Sequence, residues 1–144
     1  MGRPVNDDLN VAESRAYGKN GNIHFLGRKS FEEIVPYLKS CLCTTVPSEW
    51  YDNFPNVLLE SYAYKKAVIA TDFGSLQFMV DDERTGLKFR YADLGDFRKR
   101  ITCMFENPNK ARIMGEYGYK LIETKYSPET HYKALIEVFN EIKK

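Results

Sequence analysis

The stretch Ala67-Val68-Ile69-Ala70-Thr71 leaves this chain few folds to choose from. It is continuously apolar rather than alternating, so both faces of the strand it predicts must be buried. A strand covered on both faces needs a packed layer on each side, which is the arrangement of an α/β protein with a parallel sheet. The flanking sequence agrees. Val57 to Lys66 predicts a helix with apolar positions Val57, Leu58, Leu59, Tyr62 and Ala63, and Asn56 stands where an N-cap belongs.

The same alternation runs along the chain. Ile23 to Leu26, bounded by Gly21 and Gly27, predicts a first strand, and Ser30-Phe31-Glu32-Glu33 has the form of a capping box. Pro36 is a misfit in the helix that box opens, so the main helix is expected to start near Pro36. Leu42 to Val46 predicts a second strand, stopped by Pro47, and Leu87 to Tyr91 a fourth, with a short helix Leu76 to Val80 and a polar turn before it. From Leu94 onward only helices are expected. Leu94, Phe97, Ile101, Met104 and Phe105 recur at helical spacing, as do Ala111, Met114, Gly118, Leu121 and Ile122. Ser127-Pro128 is an N-cap followed by proline at the first helical position. The expected architecture is a Rossmann-like α/β parallel sheet with flanking helices and a helical C-terminal segment. Four strands fall short of the roughly six of a doubly wound sheet. Residues 1–21 are poorly patterned, with a short helix expected from Leu9 to Tyr17, and residues 22–144 form the body.

Composition narrows the function. Lys and Arg number 21 against 20 Asp and Glu, a formal charge of +1, which argues against a disordered polyelectrolyte and against nucleic-acid binding by bulk charge. No apolar run approaches the roughly 18 to 20 residues of a membrane span, and Met1 to Asn10 has no secretory core. Cys41, Cys43 and Cys103 read as reduced cytoplasmic thiols, the first two as core positions on a buried strand. His24 and His131 are far apart and Cys41-Leu42-Cys43 is not zinc spacing, so no metal is expected. The basic run Arg98-Lys99-Arg100 reads as a solvated helix face, with weak peripheral contact to anionic lipid as the alternative.

In open α/β sheets ligands sit beyond the carboxyl ends of the strands. One loop at that end is informative: it carries Asp52, then Asn53-Phe54-Pro55-Asn56, and opens a helix. With Asn56 as cap, the amides of Val57, Leu58 and Leu59 are expected to lack intrahelical acceptors and to favour an anion such as a diphosphate. Glu60 lies four residues beyond the cap, about 6 Å along the axis at 1.5 Å per residue. Helical side chains tilt toward the N-terminus, so this carboxylate leans to the same crevice, where it can accept hydrogen bonds from sugar hydroxyls. On their own, Asp52 and Glu60 read more readily as a loop turn and a solvated helix acid than as a site. Trp50 and Tyr51 either stack on a ligand or pin the loop.

The run from Pro47 through Asp52, Asn53-Phe54-Pro55-Asn56 and Glu60 to Ala67-Val68-Ile69-Ala70-Thr71 resembles the donor-binding half of GT-B glycosyltransferases. It looks most like family 4, the retaining group-1 transferases, whose motif is an acid, seven residues, then Glu, before a helix and an apolar strand. The resemblance covers roughly Asn22 to Tyr132, with Phe25-Leu26-Gly27 early and Thr85-Gly86-Leu87 later. It implies an enzyme that holds a UDP-, GDP- or similar nucleotide-sugar without a metal or other cofactor. The sugar then passes, with retention, to an acceptor held by an N-terminal domain.

By carry-over, Asp52 stands near the donor sugar and its leaving side. Asn53, Phe54, Asn56, Val57 and Leu58 offer main-chain amides to sugar and diphosphate, Glu60 binds the ribose hydroxyls, and Arg28 lies near the nucleobase. The resemblance also implies that this chain begins partway into the donor domain, lacks the acceptor domain and is inactive alone. Two rival readings stand beside it. One is a non-catalytic nucleotide or partner-binding module; the other, a flavodoxin-like phosphoacceptor, lacks the acidic cluster that phosphoryl transfer to Asp needs.

Overall fold

A computed structural model describes residues 23–51 and 53–142. The helix expected from Leu9 to Tyr17, and Asp52, lie outside the described residues. The chain divides into two compact units, Met1–Ile34 and Val35–Lys144. In the first, residues 23–30 carry no strand, and Ile23 and Leu26 are exposed. The strand expected there is therefore absent: a β-prone run of four residues becomes a strand only where a neighbouring strand takes its hydrogen bonds. The capping box forms as expected at the start of helix α1 (Phe31–Ser40). The Ser30 amide donates to the Glu33 carboxylate at 2.9 Å, and the Glu33 amide donates to the Ser30 hydroxyl at 3.4 Å. Pro36 sits inside this helix rather than starting it. It costs the helix one internal hydrogen bond, which the box at the N-terminus offsets.

The second unit is built on a parallel sheet of β1 (Cys43–Val46), β2 (Ala67–Thr71) and β3 (Gly86–Phe89), in the order β1-β2-β3. Helix α2 (Asn56–Ala63) connects the first two strands, and the short α3 (Leu76–Met79) precedes the third. Helices α4 (Leu94–Glu106), α5 (Pro108–Thr124) and α6 (Pro128–Ile142) follow. The β2 prediction holds, since all five of its residues are buried. Val68 and Ala70 pack on one side with Leu58, Tyr62, Leu76 and Met79. Ala67 and Ile69 pack on the other with Leu87, Phe89, Met104, Ala111 and Met114. Alternate residues of a strand point to opposite faces, so this one strand supplies both cores. β3 ends at Phe89 rather than Tyr91 because its partner ends: Thr71 pairs with Phe89.

Two connections set the geometry of the sheet. Helix α2 stops at Ala63, three residues before its expected end, because Lys65 adopts a left-handed backbone (φ 57°). The Lys66 amide donates to the Ser61 carbonyl and the Lys65 amide to the Tyr62 carbonyl, each at 2.9 Å, which closes a Schellman turn. Helix α5 rests against this turn at Gly115, where a Cβ would lie 2.0 Å from the Lys65 carbonyl oxygen. Gly86 is required for the same kind of reason, a Cβ there meeting the Val68 carbonyl oxygen at 2.1 Å.

The buried Tyr62 and Thr85 hydroxyls are paired. The Tyr62 hydroxyl and the Thr85 hydroxyl are 2.8 Å apart, and the Asp81 amide donates to Thr85 at 3.0 Å. At the C-terminal end the expected Ser127 cap forms, and Asp93 caps α4 as well. The Asp93 carboxylate accepts from the Asp96 amide at 2.8 Å, and the Ser127 hydroxyl accepts from the Thr130 amide at 3.2 Å. Cys41 lies before β1 rather than on it, and Cys41, Cys43 and Cys103 are half-buried free thiols. Desolvation raises the Cys41 and Cys43 thiols above the ordinary range, which keeps them protonated and unreactive. Among the described residues, no helix is long and apolar enough to cross a membrane.

Candidate functional site

Because the strands are parallel, Val46, Thr71 and Phe89 end at one edge of the sheet, and the loops that leave them lie side by side. Each of those loops carries an aromatic ring, and the rings pack in a row, Tyr51 tilted on Phe73 and Phe73 stacked on Tyr91. Tyr51 lies 4.4 Å from Phe73, and Phe73 lies 4.6 Å from Tyr91, centroid to centroid. Offset aromatic pairs are each worth about 0.5–1.5 kcal/mol beyond their buried area, so the stack ties three strand ends together. Tyr51 therefore pins its loop on Phe73, while Trp50 points to solvent with 80% of its surface exposed. Phe54 is turned to the helical segment, edge-on to Tyr126 at 5.6 Å.

The loop from Pro47 leads into α2 through Pro55, and here the structure departs from expectation. Pro55, not Asn56, is the N-cap, with extended backbone (φ −70°, ψ 111°) and no side-chain capping bond. Proline holds φ near −65°, which suits an entry to a helix, so Asn56 is drawn into the first turn. The Leu58 amide consequently donates to the Pro55 carbonyl at 3.1 Å, and its side chain is fully buried in the core. Leu59 lies in the regular body of the helix. The donors left open have moved back along the chain. The amides of Asn53, Phe54, Asn56 and Val57 carry no hydrogen bond among the described residues.

Glu60 is half-buried one turn into α2 and has no ion-pair partner among the described residues. An acid placed there for stability alone would gain from a cation beside it, and none is supplied. The Asp72 carboxylate, by contrast, is held by Lys88 at 3.6 Å. Arg28 lies exposed in the coil of the first unit. The hydroxyl of Ser75, at the mouth of α3, is buried without a partner among the described residues. Such an orphan costs about 1–3 kcal/mol. Among the described residues no group of three His, Cys, Asp or Glu side chains converges to hold a metal.

Open helix-terminal amides, an unpaired carboxylate one turn behind them and a rim of aromatic rings lie together at the carboxyl edge of a Rossmann-like sheet, and chemically such groups suit an anion and hydroxyls. The stacked rings were missed by sequence reasoning. Their only signal was an aromatic residue shortly after each of the three strands: Tyr51, Phe73 and Tyr91.

Comparison with known proteins agrees with this class. The family model "Glycosyl transferases group 1" matches residues 2–121, and the chain belongs to that family. An uncharacterized glycosyltransferase of Methanocaldococcus jannaschii is 32% identical over 121 residues, covering 84% of this chain and 34% of the relative. This chain thus spans about a third of the length of that curated relative. Among solved structures, sucrose-phosphate synthase from Thermosynechococcus elongatus superposes with a TM-score of 0.82 at 23% identity, over 99% of this chain and 35% of the other. Anabaena HepE in complex with UDP gives 0.79 at 16% identity, over 96% and 38%. These likenesses establish the fold, that of the GT-B C-terminal domain.

Proposed function

We propose that this chain is the nucleotide-sugar-binding part of a retaining family 4 glycosyltransferase. The enzyme moves a hexosyl-type sugar from a nucleotide-diphosphate donor to a glycan or lipid-linked acceptor. The observation that carries the reading is the opening of α2, where unpaired amides stand one turn ahead of the unpaired, half-buried Glu60. That order of groups matches a diphosphate followed by a ribose. The amides of Asn53, Phe54, Asn56 and Val57 receive the diphosphate and the sugar beside it. Glu60 accepts hydrogen bonds from the ribose hydroxyls, far enough from the phosphates to escape their repulsion. The family resemblance assigns Asp52 a role at the transferred sugar and its leaving side, and Arg28 one at the base.

Leu58 takes a different part from the one its sequence position suggests. Its amide is engaged by Pro55 and its side chain is in the core, so it anchors the helix terminus that the other amides present. Departure of the nucleotide diphosphate is helped by fixed donors that need no reorganisation as charge develops, and in this reading no metal takes part. The half-buried free thiols accord with a reducing, cytoplasmic setting. Because the chain spans about a third of its curated relative, the proposal assigns the acceptor to a second domain.

Calorimetry with UDP- and GDP-sugars tests the reading. Binding to at least one donor is expected, weakened about tenfold by Glu60→Ala, the loss of one charge-assisted hydrogen bond. The absence of heat and of any thermal shift with every donor overturns it. The 144 residues alone are expected to transfer no sugar, and robust turnover by them overturns the two-domain assignment.

A further inference from the structure

The opposite edge of the sheet, where the strands begin, holds a cavity of about 370 Å³ lined by Lys39, Ser40, Cys41, Leu42, Lys65, Lys66 and Arg112. It lies where α1 hands over to β1, where the Schellman turn hands over to β2, and beside α5. Four of its seven lining residues are cations. Only Lys65 has an acidic partner, Glu116 at 3.0 Å. Lys39, Lys66 and Arg112 pair with no carboxylate among the described residues. Lys66 donates to the Lys39 carbonyl at 2.9 Å, and Arg112 to the Asn109 side chain at 3.1 Å.

A simpler account is that the cations answer the negative ends of α1 and α2, which terminate here. The magnitudes decide against it. Each helix end carries roughly half a negative charge. Two ends and one carboxylate thus oppose about two of the four positive charges. The Schellman bonds moreover already satisfy the Ser61 and Tyr62 carbonyls. A positive excess remains, and a concave, low-dielectric wall concentrates its field. The volume is at the small end of ligand pockets, enough for one phosphate group and its immediate substituent.

We propose that this cavity binds the phosphate group of a small phosphorylated molecule or lipid headgroup, with Lys39, Lys66 and Arg112 as its cationic contacts. The site is independent of the donor edge. The Asn53–Val57 amides lie beyond the carboxyl ends of the strands, whereas this cavity lies at their amino ends.

The test is an amide-resolved NMR titration of the full chain with potassium phosphate, against potassium chloride at matched ionic strength. Saturable shifts at Ser40–Leu42 and Lys65–Lys66 are expected. The exposed pair Lys39→Gln with Arg112→Gln is expected to weaken binding about tenfold or more while leaving the spectrum otherwise folded. Shifts no greater than those with chloride, shifts unchanged in the double variant, or shifts confined to residues 53–58 overturn the proposal. A vesicle arm distinguishes the sources. Sedimentation with phosphatidylglycerol but not phosphatidylcholine vesicles, lost in the double variant, assigns a lipid headgroup. Phosphate binding without variant-sensitive sedimentation assigns a free solute.

Discussion

At the carboxyl edge of the sheet the strands run out into loops with open amides, an unpaired carboxylate and exposed rings. At the amino edge the turns are closed by backbone hydrogen bonds and pressed under α5, with Gly115 against the Lys65 carbonyl. The difference is one of how much each edge spends on itself. Groups that bind a ligand must be left unsatisfied in the free protein, and the edge of the proposed site is tied by side-chain rings in addition to backbone bonds such as that from the Asp72 amide to the Phe89 carbonyl at 2.7 Å. The amino edge closes its turn with the Lys65 and Lys66 amides, and what it leaves over is side-chain charge.

Substitutions ranked by expected effect sharpen that contrast. Gly115→Ala forces a methyl group into the Lys65 carbonyl and is expected to cost about 3 kcal/mol, at the upper end of overpacking penalties, read as a lower denaturant midpoint. A variant as stable as the parent would show that the amino edge yields easily, which removes the contrast. Tyr62→Phe, beneath the sheet, removes one hydrogen bond from the buried Thr85 hydroxyl, which keeps those to Asp81, and is expected to cost about 0.5–1.5 kcal/mol.

The same tyrosine gives a pH signature. Burial pushes its hydroxyl well above the usual tyrosine range, so the protonated form is favoured in the folded state. That stability is fully present below the unfolded tyrosine value of about 10 and is lost as the pH rises beyond it. The parent is therefore expected to lose stability in strong alkali more steeply than Tyr62→Phe does; parallel curves measured by circular dichroism would reject the assignment.

Asp93→Ala removes the cap of α4 and is expected to cost about 1 kcal/mol in thermal unfolding, with no effect on donor binding. The smallest stability change is expected at the site itself. Glu60→Ala should shift stability by less than about 0.5 kcal/mol, because no described cation depends on it. A large loss there would make Glu60 a structural acid and blur the two edges.

Local patterns were the legible part. The unbroken apolar run at Ala67–Thr71 announced a doubly covered parallel strand, Ser30 and Glu33 announced the capping box, and Ser127-Pro128 the start of α6. The spacing of Asp52 and Glu60 before that strand announced the family, since the motif is contiguous in sequence. Where neighbours decided, sequence reasoning went astray. Ile23–Leu26 has the composition of a strand and lacks one, and the cap moved from Asn56 to Pro55. Helix α2 gave up three residues so that Lys65 could turn the chain into β2.

The amino-acid sequence by itself determined the alternation of helix and strand, the two-sided burial of β2 and the order of groups at the opening of α2. Each of these is written within a few consecutive residues, at periods of 2 or 3.6. Tertiary structure alone decided which amides stay open, that Tyr51, Phe73 and Tyr91 meet as one stack, and that Lys39, Lys66 and Arg112 share one cavity. The rings and the cations lie tens of positions apart, and only the packing of the strands and helices brings them together.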